Sequence, residues 1–449
     1  MKATLLKYLD RLRASFWFLP TLMAFGAVVF AFFTVWLDET VTSGRLKSMD
    51  WIYSGGAEGA SAVLQTIAGS MITIAGVVFS LTLVALSLAS QQFGPRMLRN
   101  FMRDTTNQLV LGTFVATFLY CLLVLRTIRR ADDALFVPHL SVTLGVIFAL
   151  ASLWVLIFFI HHVSVSIQAD EIVARVGKEL RLTIQRHFPQ ELNRDGEADV
   201  PAAIPGDLPP NFEQEALVVA ADEDGYMHYV DADALLALAE EHDAVIRMER
   251  RPGHYVVAGT PLARVWPPDR VADDIADKIN GALVFGNQRT PGQDIEFSVQ
   301  QLVEIAVRAL SPGINDPFTA ITCIDRLGSA LYCLAGRELP SPYRLDEQQR
   351  LRLVLPQMTF AGVADAAFNQ IRQHAHSSVA VTIRLLEAVA VVASTTCRDE
   401  DRAVLQRHAD MVVRGARADL AERNDLAVVT ERYDTVSKEL VEAARPRRH

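Results

Sequence analysis

The chain has 449 residues, 51% of them hydrophobic, and a formal net charge of −9. That negative charge argues against nucleic acid as a partner for the whole chain. The four cysteines, Cys121, Cys323, Cys333 and Cys397, show neither zinc nor redox spacing, so they read as free thiols in a reducing compartment.

Four apolar runs, at about 16–37, 62–90, 108–125 and 140–160, dominate the first third. Each is long enough to cross a hydrocarbon core of about 30 Å as a helix. The first run is followed by no small-residue cleavage pattern and is rich in Phe and Trp, so it reads as an anchor and not a cleaved signal. No comparable run follows Ile160. Basic residues set the expected orientation. Lys2, Lys7, Arg11 and Arg13 precede the first run, Arg96, Arg99 and Arg103 separate the second from the third, and Arg175, Lys178, Arg181 and Arg186 follow the fourth. The expected protein is therefore a multipass membrane protein with both termini and the soluble part in the cytoplasm.

The second run carries small and polar residues at helical spacing: Thr66, Gly69, Thr73, Gly76, Ser80, Ser87 and Gln91. Steps of three, four and seven place them on one face. Two readings stay open. Small residues let helices approach closely in lipid, and hydroxyls with glycines make a weakly polar pore lining. No acidic or basic residue lies within 62–90, which argues against a proton relay or ion-coupled carrier. Gly94-Pro95 ends the run, and Pro95 can start a new helix at its first turn. Arg96, Arg99 and Arg103 then share one side of a segment with apolar Met97, Leu98, Phe101 and Met102, which reads as an interfacial helix. This arrangement is similar, over one helix, to the pore helix of small-conductance mechanosensitive channels. His161 and His162 at the end of the fourth run point about 100° apart on a helix and read as interfacial anchors.

A helical extension and linker is expected over 166–210. The segment 211–268 reads as a small β domain. Strands are expected at Leu217–Ala220, Tyr226–Val230, Val245–Glu249 and Tyr255–Ala258, with a short helix Ala234–Glu241 capped by Asp233. Gly253, Val256, Gly259, Leu262 and Val265 follow one another at a step of three. With Gly225-Tyr226 upstream, this resembles half of a biotinyl/lipoyl-like barrel-sandwich domain. That fold carries its cofactor on a lysine, and no lysine lies between Asp222 and Val265, so no cofactor is expected. Segment 269–449 reads as a helical bundle, including helices at Pro317–Leu334 and Asp346–Leu355.

The most distinctive string is Gln293-Asp294-Ile295-Glu296-Phe297, then Arg308-Ala309-Leu310-Ser311-Pro312-Gly313-Ile314-Asn315-Asp316-Pro317-Phe318. It resembles the family of predicted bacterial membrane proteins called "domain of unknown function 2254". The resemblance covers nearly the whole chain and implies a multipass membrane protein of this domain order, with no activity attached. Pro312-Gly313 turns the chain, Asp316 caps the next helix and Pro317 takes its first position. One reading is a rigid corner clamped by Arg308, Glu304 and Glu296. The other is a ligand or subunit contact built from Asp294, Glu296, Arg308, Asn315 and Asp316. His374 and His376, two residues apart, suit a helix end better than a metal site.

A Gly-rich phosphate loop, a dinucleotide fingerprint, a serine elbow and a zincin helix are all missing from the sequence. No enzyme activity is expected. The sequence thus predicts an α-helical membrane protein with four transmembrane helices and a cytoplasmic α+β part. Its partners are the lipid bilayer, further copies of itself, and an ion or small ligand. The leading function is an oligomeric channel gated by the cytoplasmic part. The alternative is a membrane-anchored interaction or signalling scaffold.

Overall fold

The computed structural model describes residues 17–41, 55–94, 104–129, 136–166, 168–188, 208–270 and 274–443. The chain divides into two compact units, Met1–Glu171 and Ile172–His449.

The first unit holds α1 (Phe18–Val41), α2 (Ala57–Phe93), α3 (Thr105–Thr127) and α4 (His139–Ser166). At 1.5 Å per residue, the 37-residue α2 is about 55 Å long and exceeds a hydrocarbon core of about 30 Å. α3 is central, packing on α1, α2 and α4. Its apolar window is accordingly 44% buried, against 17–22% for the other three. Ala31, Leu64, Tyr120, Val124 and Val142 form one core cluster, and Met71, Ala75, Val78, Phe114 and Phe159 form another.

Several polar groups inside this unit are paired, which lowers the cost of holding them in an apolar medium. Asp38, buried at the end of α1, accepts the backbone N–H of Leu140 at 3.0 Å and of Ser141 at 2.9 Å, and the Ser141 hydroxyl at 2.6 Å. It thereby satisfies the free N–H groups at the start of α4. The Tyr120 hydroxyl donates to the Ser141 carbonyl at 3.1 Å. Asp104 caps α3 through the Thr106 N–H at 2.9 Å and meets His162 Nε2 at 2.8 Å. His162 is thus a hydrogen-bond partner of Asp104.

The second unit opens with α5 (Ala169–His187), whose last sixteen residues belong to it. Ile172, Val173, Val176, Leu180 and Ile184 form its buried face. After the short α6 (Phe212–Glu215) come β1 (Leu217–Ala220), β2 (Gly225–Val230), α7 (Ala232–Glu241), β3 (Val245–Met248), β4 (Tyr255–Val256) and β5 (Pro261–Trp266). Asp231, not Asp233, caps α7, by accepting the Ala234 N–H at 3.1 Å. Then follow α8 (Ile275–Gly281), β6 (Leu283–Gly286), α9 (Ile295–Ala309), α10 (Pro317–Ala335), β7 (Tyr343–Leu345), β8 (Leu351–Val354), α11 (Phe360–Ala375), α12 (Val379–Ala393), α13 (Asp399–Asp419) and α14 (Arg423–Ala443).

Two sheets enclose one core. The five-stranded sheet runs β1-β5-β3-β8-β7, and the three-stranded sheet runs β4-β2-β6. Every pairing is antiparallel except β3 with β8. Met227, Val256 and Phe285 from one sheet meet Val219, Ile246, Val265 and Leu353 from the other. The segment Asp346–Leu355, expected as a helix, instead supplies strand β8. Its alternation explains the difference: Arg352 turns away from Leu353 and is held by Asp346 at 2.8 Å and Asp243 at 2.5 Å. Burial works against the Asp346 charge, but the Arg350 backbone N–H and the Arg352 and Arg350 guanidinium groups outweigh it and hold the carboxyl at about 2.

Five helices, not four, are long and apolar enough to cross a membrane among the described residues. The fifth is α10, with a mean hydropathy of 1.2 against 2.1–2.6 for α1 to α4. Half of its window is buried, and it packs against α9, α11 and α12 in the second unit. Length and hydropathy alone do not separate a spanning helix from a buried bundle helix, and α10 is joined to α12 by the Asp325–Arg384 ion pair.

Candidate functional site

Three places carry the residues singled out by the sequence. The first is α2. Its buried side is a row of mostly small apolar residues, Ala60, Leu64, Ala68, Met71, Ala75, Val78, Ala85 and Ala89, packed on α3 and α4. Thr66, Gly69, Thr73, Gly76, Ser80, Ser87 and Gln91 all lie on the opposite, exposed side. A Cβ placed on Gly69 or Gly76 would meet nothing within 4 Å. The Thr66 and Thr73 hydroxyls each donate to the carbonyl four residues back at 2.8 Å, which lowers the cost of holding them in an apolar medium. Among the described residues, the stripe from Thr66 to Ser87 is exposed and lies outside the packed face of α2. The exposed sides of α1 and α4 differ from it: Phe25, Phe32, Phe33 and Trp36 cover one, and Leu150, Leu153, Trp154 and Ile157 cover the other. The interfacial arginines Arg96, Arg99 and Arg103 lie outside the described residues.

The second place is the start of α9. Asp294 is 2% exposed and caps the helix through the Phe297 N–H at 3.2 Å. Arg289 grips its carboxylate with two bonds, Nε at 2.7 Å and Nη2 at 2.8 Å, and gives Nη1 to Gln300 at 2.8 Å. Arg251 donates to Glu296 at 2.6 Å. Gln293 accepts the Val230 N–H at 3.0 Å. Two carboxylates meet two guanidinium groups here, so the cluster is charge-matched and ties the β core to α9. Burial first, and the Arg251 charge next, push the nearby His254 below its ordinary pKa. Sequence reading missed Arg289 and Arg251 and placed Gly253 only in the β segment. Arg251 lies 45 residues from its partner Glu296, whereas Arg289 lies five from Asp294, in a loop with no periodicity to mark it.

The third place is the corner between α9 and α10. Asp316 caps α10 by accepting the Phe318 and Thr319 N–H groups, each at 3.1 Å, and the Thr319 hydroxyl at 2.5 Å. The Thr319 hydroxyl bond is the main reason its carboxyl sits below the usual range. The turn closes on itself: the Asn315 N–H reaches the Ser311 carbonyl at 2.9 Å and the Asp316 N–H reaches the Ala309 carbonyl at 2.7 Å. Asn315 takes the left-handed conformation, φ +50°, which Asn tolerates. The expected clamp is therefore corrected. Arg308 lies 3.7 Å from Glu304, but Glu296 is twelve residues up the helix, about 18 Å away, and serves the other end. Asp294 and Glu296 do not join Arg308, Asn315 and Asp316 in one site. Ile314 and Phe318 instead project from the corner, Phe318 with 79% of its surface exposed.

His374 and His376 also part company. His374 Nδ1 meets the Gln370 carbonyl at 2.9 Å, and His376 faces Asp419 at 3.0 Å. Among the described residues, no three His, Cys, Asp or Glu side chains are placed to hold a metal ion.

The family model described as "Predicted membrane protein (DUF2254)" matches residues 13–391. An uncharacterized protein of Mycobacterium bovis and one of Mycobacterium tuberculosis are each 34% identical over 428 residues, covering 94% of this chain and 80% of theirs. No solved structure matches this chain. With residues 13–391 matched to that model, the chain belongs to the DUF2254 family of predicted membrane proteins.

Proposed function

We propose that this protein is a homo-oligomer of the bacterial inner membrane in which α2 helices from several copies face a common axis and form a conduit for ions or small solutes. The unit Ile172–His449 lies in the cytoplasm in this reading, where it assembles and regulates the conduit. One observation carries the proposal: Thr66, Gly69, Thr73, Gly76, Ser80, Ser87 and Gln91 are all exposed on a helix whose alanine side is already occupied. Lipid is well matched by the aromatic and branched surfaces of α1 and α4, whereas glycines and hydroxyls are better used against another helix or water. The absence of charge along 62–90 suits a passive path better than a proton-coupled carrier.

The test is thiol labelling of single cysteines at Thr73, Gly76, Ser80 and Ser87, in a cysteine-free background in native membranes, with a charged reagent. Reactivity at these positions, and loss of ion flux from reconstituted vesicles on Gly76→Leu and Ser80→Leu, is the expected result. Unchanged flux in an intact oligomer of both variants overturns the proposal.

A further inference from the structure

An open groove of about 450 Å³ lies between α5 and the loop that leads into α9. That volume falls in the range of small-ligand sites, about 300–1,000 Å³. Arg175, Lys178 and Arg186 line it, with Glu179 as the one acid. None of these three cations, nor Arg181 on the same helix, has an ion-pair partner among the described residues. Elsewhere in this unit several arginines are matched by carboxylates: Arg289 with Asp294, Arg352 with Asp346, Arg384 with Asp325. Three unmatched cations around one concavity make a site for an anion.

The remaining lining narrows the class of anion. Leu182, itself exposed, and Pro291 give the groove an apolar wall. His187 Nε2 meets the Gly292 carbonyl at 2.8 Å, which holds the loop against the helix. A Cβ on Gly292 would meet nothing within 4 Å, so the backbone there is open to a ligand. α5 begins three residues after α4, the last of the strongly apolar helices. Basic clusters at that place in a chain attract anionic lipid, and guanidinium forks match phosphate oxygens.

We propose that this groove binds the headgroup of an anionic phospholipid. Arg175, Lys178 and Arg186 hold the phosphodiester, and Leu182 and Pro291 lie against the glycerol and first acyl carbons. The loop that closes the groove runs on to Asp294, so an occupied groove stabilises the start of α9. Soluble phosphate esters share the phosphate chemistry and lack the acyl chains.

The experiment is thermal unfolding of the full-length protein in a neutral detergent with added phosphatidylglycerol, phosphatidylcholine or glycerol 3-phosphate. Phosphatidylglycerol is expected to raise Tm by several degrees, and the other two are not. The triple variant Arg175→Gln, Lys178→Gln, Arg186→Gln, with the parent Tm in phosphatidylcholine, is expected to lose at least half of that rise. An equal rise in the variant overturns the proposal, as does no rise in the parent. A full rise with glycerol 3-phosphate overturns the lipid source in favour of a soluble one. Should the variant not fold, photoactivatable phosphatidylglycerol on the parent protein decides: label on the peptide 172–187 supports the groove, and label confined to other segments overturns it.

Discussion

Gly253 lies directly beneath the carboxylate of Asp294, so close that no Cβ fits between them. Its φ of +92° is also one that side chains of L-residues rarely adopt. The two residues are 41 positions apart, one in the loop before β4 and the other capping α9. Gly253→Ala should therefore lose about 2 kcal/mol or more of stability, from strain together with displacement of a buried carboxylate. A lowered thermal midpoint of the full-length protein in detergent checks this. The parent midpoint in the variant would show that the loop relaxes freely.

Asp294→Asn keeps a side-chain oxygen for the cap but removes the charge that Arg289 holds with two bonds. Breaking one half of a buried pair costs on the order of 3 kcal/mol, because the other half stays desolvated. Asp316→Asn at the exposed corner should cost less than about 1 kcal/mol, since Asn is also a good cap. Denaturation of the two variants side by side measures the difference.

α2 offers a matched pair of neighbours. Ala75 is buried against α3 and α4, whereas Gly76 opens outward. Ala75→Leu overpacks the protomer and should cost about 1–3 kcal/mol. Gly76→Leu should leave the protomer fold intact and act on oligomerisation or flux. Thermal stability and size-exclusion profiles of the two variants separate these effects.

His408 supplies a pH dependence. It is fully buried beside Phe368, with Asp365 3.0 Å from Nε2 and Arg407 and Arg372 nearby. Burial is the main cause that lowers its pKa to about 4, the two arginine charges add to it, and Asp365 opposes it. The folded state thus binds a proton less readily than the unfolded state. Its contribution to stability is complete above the unfolded pKa of about 6.5 and is lost as pH falls from there towards 4, by up to about 3 kcal/mol. His408→Leu should move the acid unfolding transition to lower pH. An unmoved transition would assign acid lability to other groups.

Much of the architecture was legible in the sequence because local patterns generate it. The apolar runs at about 16–37, 62–90, 108–125 and 140–160 correspond to α1 through α4, since a long apolar stretch has few alternatives to a helix. The cap at Asp316 was legible for the same reason: a side chain reaching its own helix start needs no distant partner. The stripe on α2 was visible too, because helical spacing alone puts its members on one face.

The rest was decided by tertiary structure. Periodicity did not reveal that the stripe lies opposite the packed alanine face, because that depends on where α3 and α4 dock. It did not reveal β8, because a short apolar run becomes a strand only when β3 offers an edge and Asp243 and Asp346 receive Arg352. It joined Glu296 to the wrong end of α9, because neighbours in a motif are separated by the length of the helix between them. α10 has the length and hydropathy of a span, and only the folded chain shows that it packs on α9, α11 and α12 and pairs Asp325 with Arg384. Sequence determines what a segment forms when the determinants are within a turn or two. Burial, pairing and partnership belong to residues that only the folded chain brings together.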